Sequence, residues 1–301
     1  MSDLAGRILE RAISGIDGGK RPGQVAMVTA VADSLEEGTH LLVQAGTGTG
    51  KSLGYLAPVL ARIVERGEAI VVATATLALQ AQLAGSDIPA ALDAVEHVAG
   101  QRPRACVLKG RNNYACLFRA RDGSTENGQG TLLGAAELSE SHESGSPSKL
   151  GVEVLMLREW VEEQLLAGGT GDRDEAPPHT AAAWQQVSIP TRECPGVSRC
   201  PFGGECFVER SRESARTADL IVTNHALVAI NAMHGGTALP EHDALIIDEA
   251  HELMGRLTTA ATGELSAGVA ERVVKRCLAW LDDELGGDLL DAVEELHDAL
   301  A

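Results

Sequence analysis

Short apolar runs alternate with longer segments of helical spacing along much of the chain. "HLLVQAG" (40–46) is an apolar run closing on glycine and is predicted to be a strand. "KSLGYLAPVLARIVERG" (51–67) carries apolar positions at helical spacing and ends in a glycine cap signal, so it is predicted to be a helix. "AIVVATA" (69–75) reads as a buried strand and "TLALQAQLAG" (76–85) as the helix after it; "ADLIVTN" (218–224) and "DALIIDEA" (243–250) read as two more short strands. Strands alternating with helices imply an α/β fold, a parallel sheet covered on both faces.

The N-terminal "MSDLAGRILERAISGIDGGKRPGQ" reads as an amphipathic helix entering a Gly/Pro loop. Between the second strand unit and "ADLIVTN" well over a hundred residues break the alternation, which marks an insertion. Within it, 122–151 and 168–180 are rich in Gly, Ser, Pro and acid and read as mobile loops, whereas "VEVLMLREWVEEQLLAG" (152–168) reads as a helix. After "DEAH" the chain turns acidic and helical.

A chain of 301 residues with 44 % hydrophobic content can bury a full core, as one large domain or two ordinary ones. Its longest apolar stretch, "AIVVATATLAL" (69–79), is too short to span a bilayer, and the N-terminus lacks the apolar core of a signal peptide. The expected compartment is the cytoplasm, without a membrane partner, where structural disulfides among the 6 cysteines are disfavoured. A net charge of −18 argues against a nucleic-acid partner until its distribution is considered. Residues 221–301 hold 15 acids against 4 bases, yet from Arg102 to Arg121 there are six basic residues and no acid. That stretch supports a local basic surface, although on charge alone a solvated face explains it equally well.

"AGTGTGKS" (Ala45, Gly46, Thr47, Gly48, Thr49, Gly50, Lys51, Ser52) fits the phosphate-loop pattern, with Ala45 where the stricter form has glycine. Gly46, Gly48 and Gly50 let backbone N–H groups close on phosphate oxygens that side chains would block. Lys51 would neutralise the β and γ phosphates of ATP, and the Ser52 hydroxyl would bind Mg2+. "ALIIDEAH" places two carboxylates at the C-terminal end of a strand, where open α/β sheets bind ligands. Asp248 would hold Mg2+, Glu249 would orient and deprotonate the attacking water, and His251 would link hydrolysis to motion. Gln24, in "RPGQ", carries an amide suited to the N6/N7 edge of adenine.

"CPGVSRCPFGGEC" (194–206) places Cys194, Cys200 and Cys206 with five residues between neighbours. Zinc ribbons bring cysteines in pairs two to four residues apart, and no such pair occurs here. The residues alone leave an iron–sulfur ligand set, a zinc site and plain buried thiols open. Cys106 and Cys277 read as ordinary buried thiols.

Taken in order, "RPGQ", "AGTGTGKS", "TATLALQAQL", "KGRNNYAC", the cysteine triplet, "ADLIVTNHALV" and "DEAH" resemble the DinG/XPD-type superfamily 2 iron–sulfur DNA helicases, nearest their bacterial DinG branch. The resemblance covers about residues 20–252. It implies a RecA-like motor domain 1 from 1–105 and 218–252, an inserted, mainly helical iron–sulfur domain at 106–217, and the start of an arch-like helical insertion at 253–301. It further implies a 4Fe–4S cluster on Cys116, Cys194, Cys200 and Cys206, single-stranded or forked DNA as partner, and 5′ to 3′ movement driven by ATP hydrolysis in repair or replication. Lys109, Arg111, Arg119 and Arg121 become candidate phosphate contacts, and Tyr114 either stacks on a base or packs near the cluster. The family's second RecA-like domain, with its arginine finger, has no counterpart in these residues, so an N-terminal portion inactive by itself is expected; nor is there room before Gln24 for an exonuclease domain. Two other classes compete: a non-hydrolysing nucleic-acid and iron–sulfur binding module, and a zinc-bearing DEAH RNA helicase.

Overall fold

In the computed structural model, which describes residues 3–15, 19, 21–46, 48–121, 149–263 and 265–300, three of the expected strands form one parallel sheet. They are β1 (Ile70–Thr74), β3 (Leu220–Asn224) and β4 (Ala244–Ile247), joined by a short β2 (Ala105–Val107) in the order β2-β3-β1-β4. Central β1 pairs Ile70 with Leu220 on one side and Ile70 with Ala244 on the other, so the strand ends stay in step. That register brings the residues after β1, β3 and β4 to one edge of the sheet.

Alternation along the strands divides the core. Ile70, Val72, Leu220 and Val222 face α1 (Asp3–Gly15), α2 (Pro22–Glu37), α3 (Lys51–Arg66) and α5 (Ile88–Ala99), packing with Ile8, Leu9, Val28, Leu56, Leu60 and Val95. Val71 and Ile221 face the other way, with Leu108, Ala215, Leu227 and Leu239. Gln80 of α4 (Leu77–Gln82) is fully buried and donates to the carbonyls of Leu108 and Val222, fastening α4 to β3 and the residue after β2. Arg62 and Arg66 of α3 both pair with Glu36 of α2.

One expected strand does not form. Residues 39–46 have no regular structure, and Leu42 is 90 % exposed. A strand needs a neighbour to complete its hydrogen bonds, and among the described residues none pairs with this run, while β4 is bonded to β1 alone. Apolar content without a partner is insufficient.

The chain divides into two compact units, Met1–Gly110 with Val208–Ala260 and Arg111–Phe207 with Ala261–Ala301. In the second, α6 (Leu117–Ala120), α7 (Lys149–Leu166) and α8 (Ala181–Val187) surround a small core of Leu117, Val154, Leu157, Trp160, Trp184 and Val187. The two tryptophan rings lie 6.3 Å apart, and the Trp184 indole N–H donates to the Asn112 carbonyl at 2.7 Å. The expected mobile loop at 122–151 lies almost wholly outside the described residues.

The other expected mobile loop, 168–180, is anchored. The Ala115 amide donates to the Gly171 carbonyl, Asp172 bridges to Tyr114, and Arg173 stacks over Trp184. Its glycines serve a tight course against packed rings. Gly168 and Gly171 both hold left-handed backbone angles, but a Cβ on Gly171 would lie 2.5 Å from the Phe207 ring, whereas one on Gly168 would meet open space. Gly168→Ala should therefore cost about 1 kcal/mol of strain and Gly171→Ala roughly 2–4 kcal/mol, strain plus overpacking. Urea unfolding checks this: equal midpoints for the two variants would show that the ring yields freely.

Candidate nucleotide site and cysteine-bearing unit

The phosphate loop leads directly into α3, with Gly48 and Gly50 in left-handed conformations that other residues rarely adopt. Thr49 donates its hydroxyl to the Gly46 carbonyl at 2.9 Å, and Arg21 donates to the Gly48 carbonyl. Thr47 lies outside the described residues, and Ala45 sits half-buried against the core. Gln24 is only 5 % exposed; its amide donates to the Gly50 carbonyl at 3.0 Å, and a Cβ on Gly50 would collide with it. The residue expected at an adenine edge thus holds the loop in this structure, because α2 packs along α3 and carries Gln24 inward.

Lys51 and Glu249, 198 residues apart, form an ion pair. The Lys51 ammonium holds the Glu249 carboxyl below the usual range. Glu249 is the one described non-glycine residue with a positive φ, 52°. That angle turns the chain sharply out of β4.

Asp248 is fixed through both its backbone and its carboxylate. Its amide donates to the Ala73 carbonyl at 2.9 Å, and its carbonyl accepts from His225 Nε2 at 2.9 Å. One carboxylate oxygen accepts from the Glu249 amide at 3.0 Å, the other from the Tyr55 hydroxyl at 3.2 Å. Burial, and then the neighbouring Asp248 carboxylate, hold the Tyr55 phenol well above its ordinary range, so it stays a donor. Ser52 is half-buried at the start of α3 and is also hydrogen-bonded to Tyr55. His251 is 71 % exposed, with one ring nitrogen 3.5 Å from Glu249.

Sequence reasoning missed Tyr55 and His225. Tyr55 stands one turn beyond Lys51, on the same helical face, and that spacing was the available signal. His225 follows β3 at the end where ligands gather. It is fully buried, which pushes its imidazole down, and it begins α9 (His225–Met233), capped by Asn224.

All four candidate cluster cysteines belong to the second unit and are half-buried. Burial pushes the Cys116 thiol up to about 11; the Phe118 and Arg119 amides donate to its sulfur, and Cys194 and Cys206 lie close enough to influence it. The Gly196 amide lies 3.5 Å from the Cys194 sulfur. Four thiols in one unit, two of them receiving backbone donors, suit an iron–sulfur group in chemistry. Among the described residues, however, no three His, Cys, Asp or Glu side chains converge closely enough to hold a metal ion. Cys106 is half-buried, its thiol also pushed up to about 11, and Cys277 is half-buried.

The basic stretch does not present four free cations. Lys109 is 5 % exposed, Arg119 pairs with Glu193, and Arg121 pairs with Glu162. Tyr114 is buried, which favours packing over base stacking. No helix among the described residues is long and apolar enough to cross a membrane.

The DEAD/DEAH box helicase family matches residues 21–96. The chain is 41 % identical over 279 residues to the ATP-dependent helicase DinG of Mycobacterium tuberculosis, covering 92 % of this chain and 41 % of that protein. It is 32 % identical to the ATP-dependent DNA helicase YoaA of Escherichia coli, over 81 % of this chain and 35 % of that one, and 28 % identical to the 3′-5′ exonuclease DinG of Bacillus subtilis, over 80 % and 24 %. The chain thus spans less than half the length of the curated relatives it matches. With a phosphate-loop pattern, a DEAH strand end and this breadth of identity, the chain is similar to the DinG-type DEAD/DEAH box helicases over 92 % of its own length.

Proposed function

We propose that this chain is the nucleotide-binding and cysteine-bearing part of an ATP-dependent DNA helicase moving 5′ to 3′ along single strands in the cytoplasm. The observation that carries the reading is the meeting of Lys51 and Glu249 beside a firmly held Asp248. In that arrangement Lys51 binds the β and γ phosphates, Ser52 and Asp248 hold Mg2+, and Glu249 orients the attacking water and takes its proton. Bound Mg2+ would neutralise charge on the phosphate oxygens. His251, exposed next to Glu249, is placed to report the state of that carboxylate to a moving neighbour. Gln24 would read adenine only by leaving Gly50, so in this reading its first role is to shape the loop.

Hydrolysis further requires an arginine from a second RecA-like domain, worth roughly 10³ to 10⁵ in rate in related phosphoryl-transfer enzymes. Cys116, Cys194, Cys200 and Cys206 would hold a 4Fe–4S cluster, which when bound would cross-link segments distant in sequence. Arg111, which is itself engaged in interactions at the start of the second unit, would contact DNA phosphates in the family reading.

Lys51→Ala should abolish binding of a fluorescent ATP analogue while leaving the far-ultraviolet circular dichroism unchanged. Binding within about threefold of the parent would mean that phosphates are held elsewhere.

Protein prepared without air should be brown, with about four irons per chain. Cys200→Ser should remove the colour and weaken single-stranded DNA binding while sparing nucleotide binding. Stoichiometric zinc without iron would reject the cluster.

A further inference from the structure

Arg119 and Arg121, drawn from a basic stretch that invites a nucleic-acid reading, are both engaged, and the positions of their partners form a pattern. Cys116 caps α6, and the two arginines lie three and five residues beyond it. Arg119 Nη2 meets Glu193 Oε2 at 2.5 Å, and Glu193 immediately precedes Cys194. Arg121 Nη1 lies 3.5 Å from Glu205 Oε2, and Glu205 immediately precedes Cys206. Arg121 also grips Glu162 of α7 through two parallel bonds of 2.6 Å, and its guanidinium stands 5.1 Å over the Phe202 ring.

Each arginine therefore ties the turn that carries the first cysteine to the residue before another cysteine. Cys200 lies between these anchor points and is held by local turn bonds: its amide donates to the Gly196 carbonyl at 2.9 Å, and its carbonyl accepts from the Gly203 amide at 3.0 Å. Residues 116 and 194 are far apart in sequence, so bringing their thiols together costs chain entropy.

We propose that Arg119 and Arg121 are positioning residues that brace the four thiols for an iron–sulfur group rather than contacts to DNA. This rests on the cluster reading above, but the braces themselves are protein–protein ion pairs and can be tested without iron. Arginine suits the task because its planar fork engages two acceptors at once, as Arg121 does with Glu162. Half-exposed pairs are individually modest, so each brace should change thiol organisation by only several-fold and should weaken as salt rises.

The test uses the full chain and follows two readouts. In anaerobically purified protein, the rate at which air bleaches the iron–sulfur absorbance should rise about 3- to 10-fold in Arg119→Ala and in Arg121→Ala. Combining Arg119→Glu with Glu193→Arg should restore it, and single-stranded DNA affinity at equal iron content should stay unchanged. In iron-free protein, mild oxidation followed by peptide mapping should join Cys116 to Cys194 or Cys206 more slowly in the variants than in the parent. Parent protein that takes up no iron would refute the cluster and leave this second readout to decide the braces. Unchanged bleaching and unchanged cross-linking would overturn the proposal, as would a fall in DNA affinity at unchanged cluster lifetime. Arg119→Lys, which keeps the charge but loses the fork, should fall between parent and alanine variant; should an alanine variant fail to fold, it and the charge swap decide.

Discussion

The ion pair between Lys51 and Glu249 is the constraint around which the candidate nucleotide site is organised. It joins the start of α3, which is seated on one face of the sheet through Leu56 and Leu60, to the end of β4. Glu249 reaches Lys51 by turning out of β4 through a left-handed backbone angle, a conformation that costs a non-glycine residue roughly 1 kcal/mol or more. The surroundings enforce it. His225 fixes the carbonyl before Glu249, Tyr55 holds the carboxylate of Asp248, and the Glu249 amide closes on that same carboxylate. Asp248 is thereby held at several points, while the carboxylate paired with Lys51 among the described residues is that of Glu249.

Much of this was legible in the sequence because it rests on runs and spacings. β1, β3 and β4 are four- and five-residue apolar runs with polar ends, and the phosphate loop and DEAH segment are defined by residue types at fixed offsets. β2 was not legible, since three residues of mixed exposure carry no period. Residues 40–46 predict a strand that does not form, because an apolar run shows strand character but not whether a partner is present. Gln24 and Tyr114 mark the other limit: residue type gives the hydrogen-bonding capacity of a side chain, whereas burial against α3 or within the cysteine-bearing unit decides where that capacity is used.

The two units illustrate different ways of holding a site. The first buries aliphatic side chains on both faces of a sheet and needs no special device to place Lys51, Asp248 and Glu249. The second has a small core built around Trp160 and Trp184, and it relies on local fasteners: an indole bond to a carbonyl, a cation over an aromatic ring, and arginine–glutamate pairs beside the cysteines. A unit with so little buried apolar surface is the kind that gains most from a bound group joining distant segments.

The central claim is that Glu249 occupies Lys51 until a nucleotide arrives, so that phosphate and carboxylate compete for one ammonium. Titration of a fluorescent, non-hydrolysable ATP analogue into the parent chain and into Glu249→Gln tests this most directly. The account predicts roughly 3- to 10-fold tighter binding in the variant at low salt, because the amide releases the lysine, with the difference shrinking as salt is added. Equal or weaker binding in Glu249→Gln would contradict it and would show that the pair supports the nucleotide site instead of competing for it.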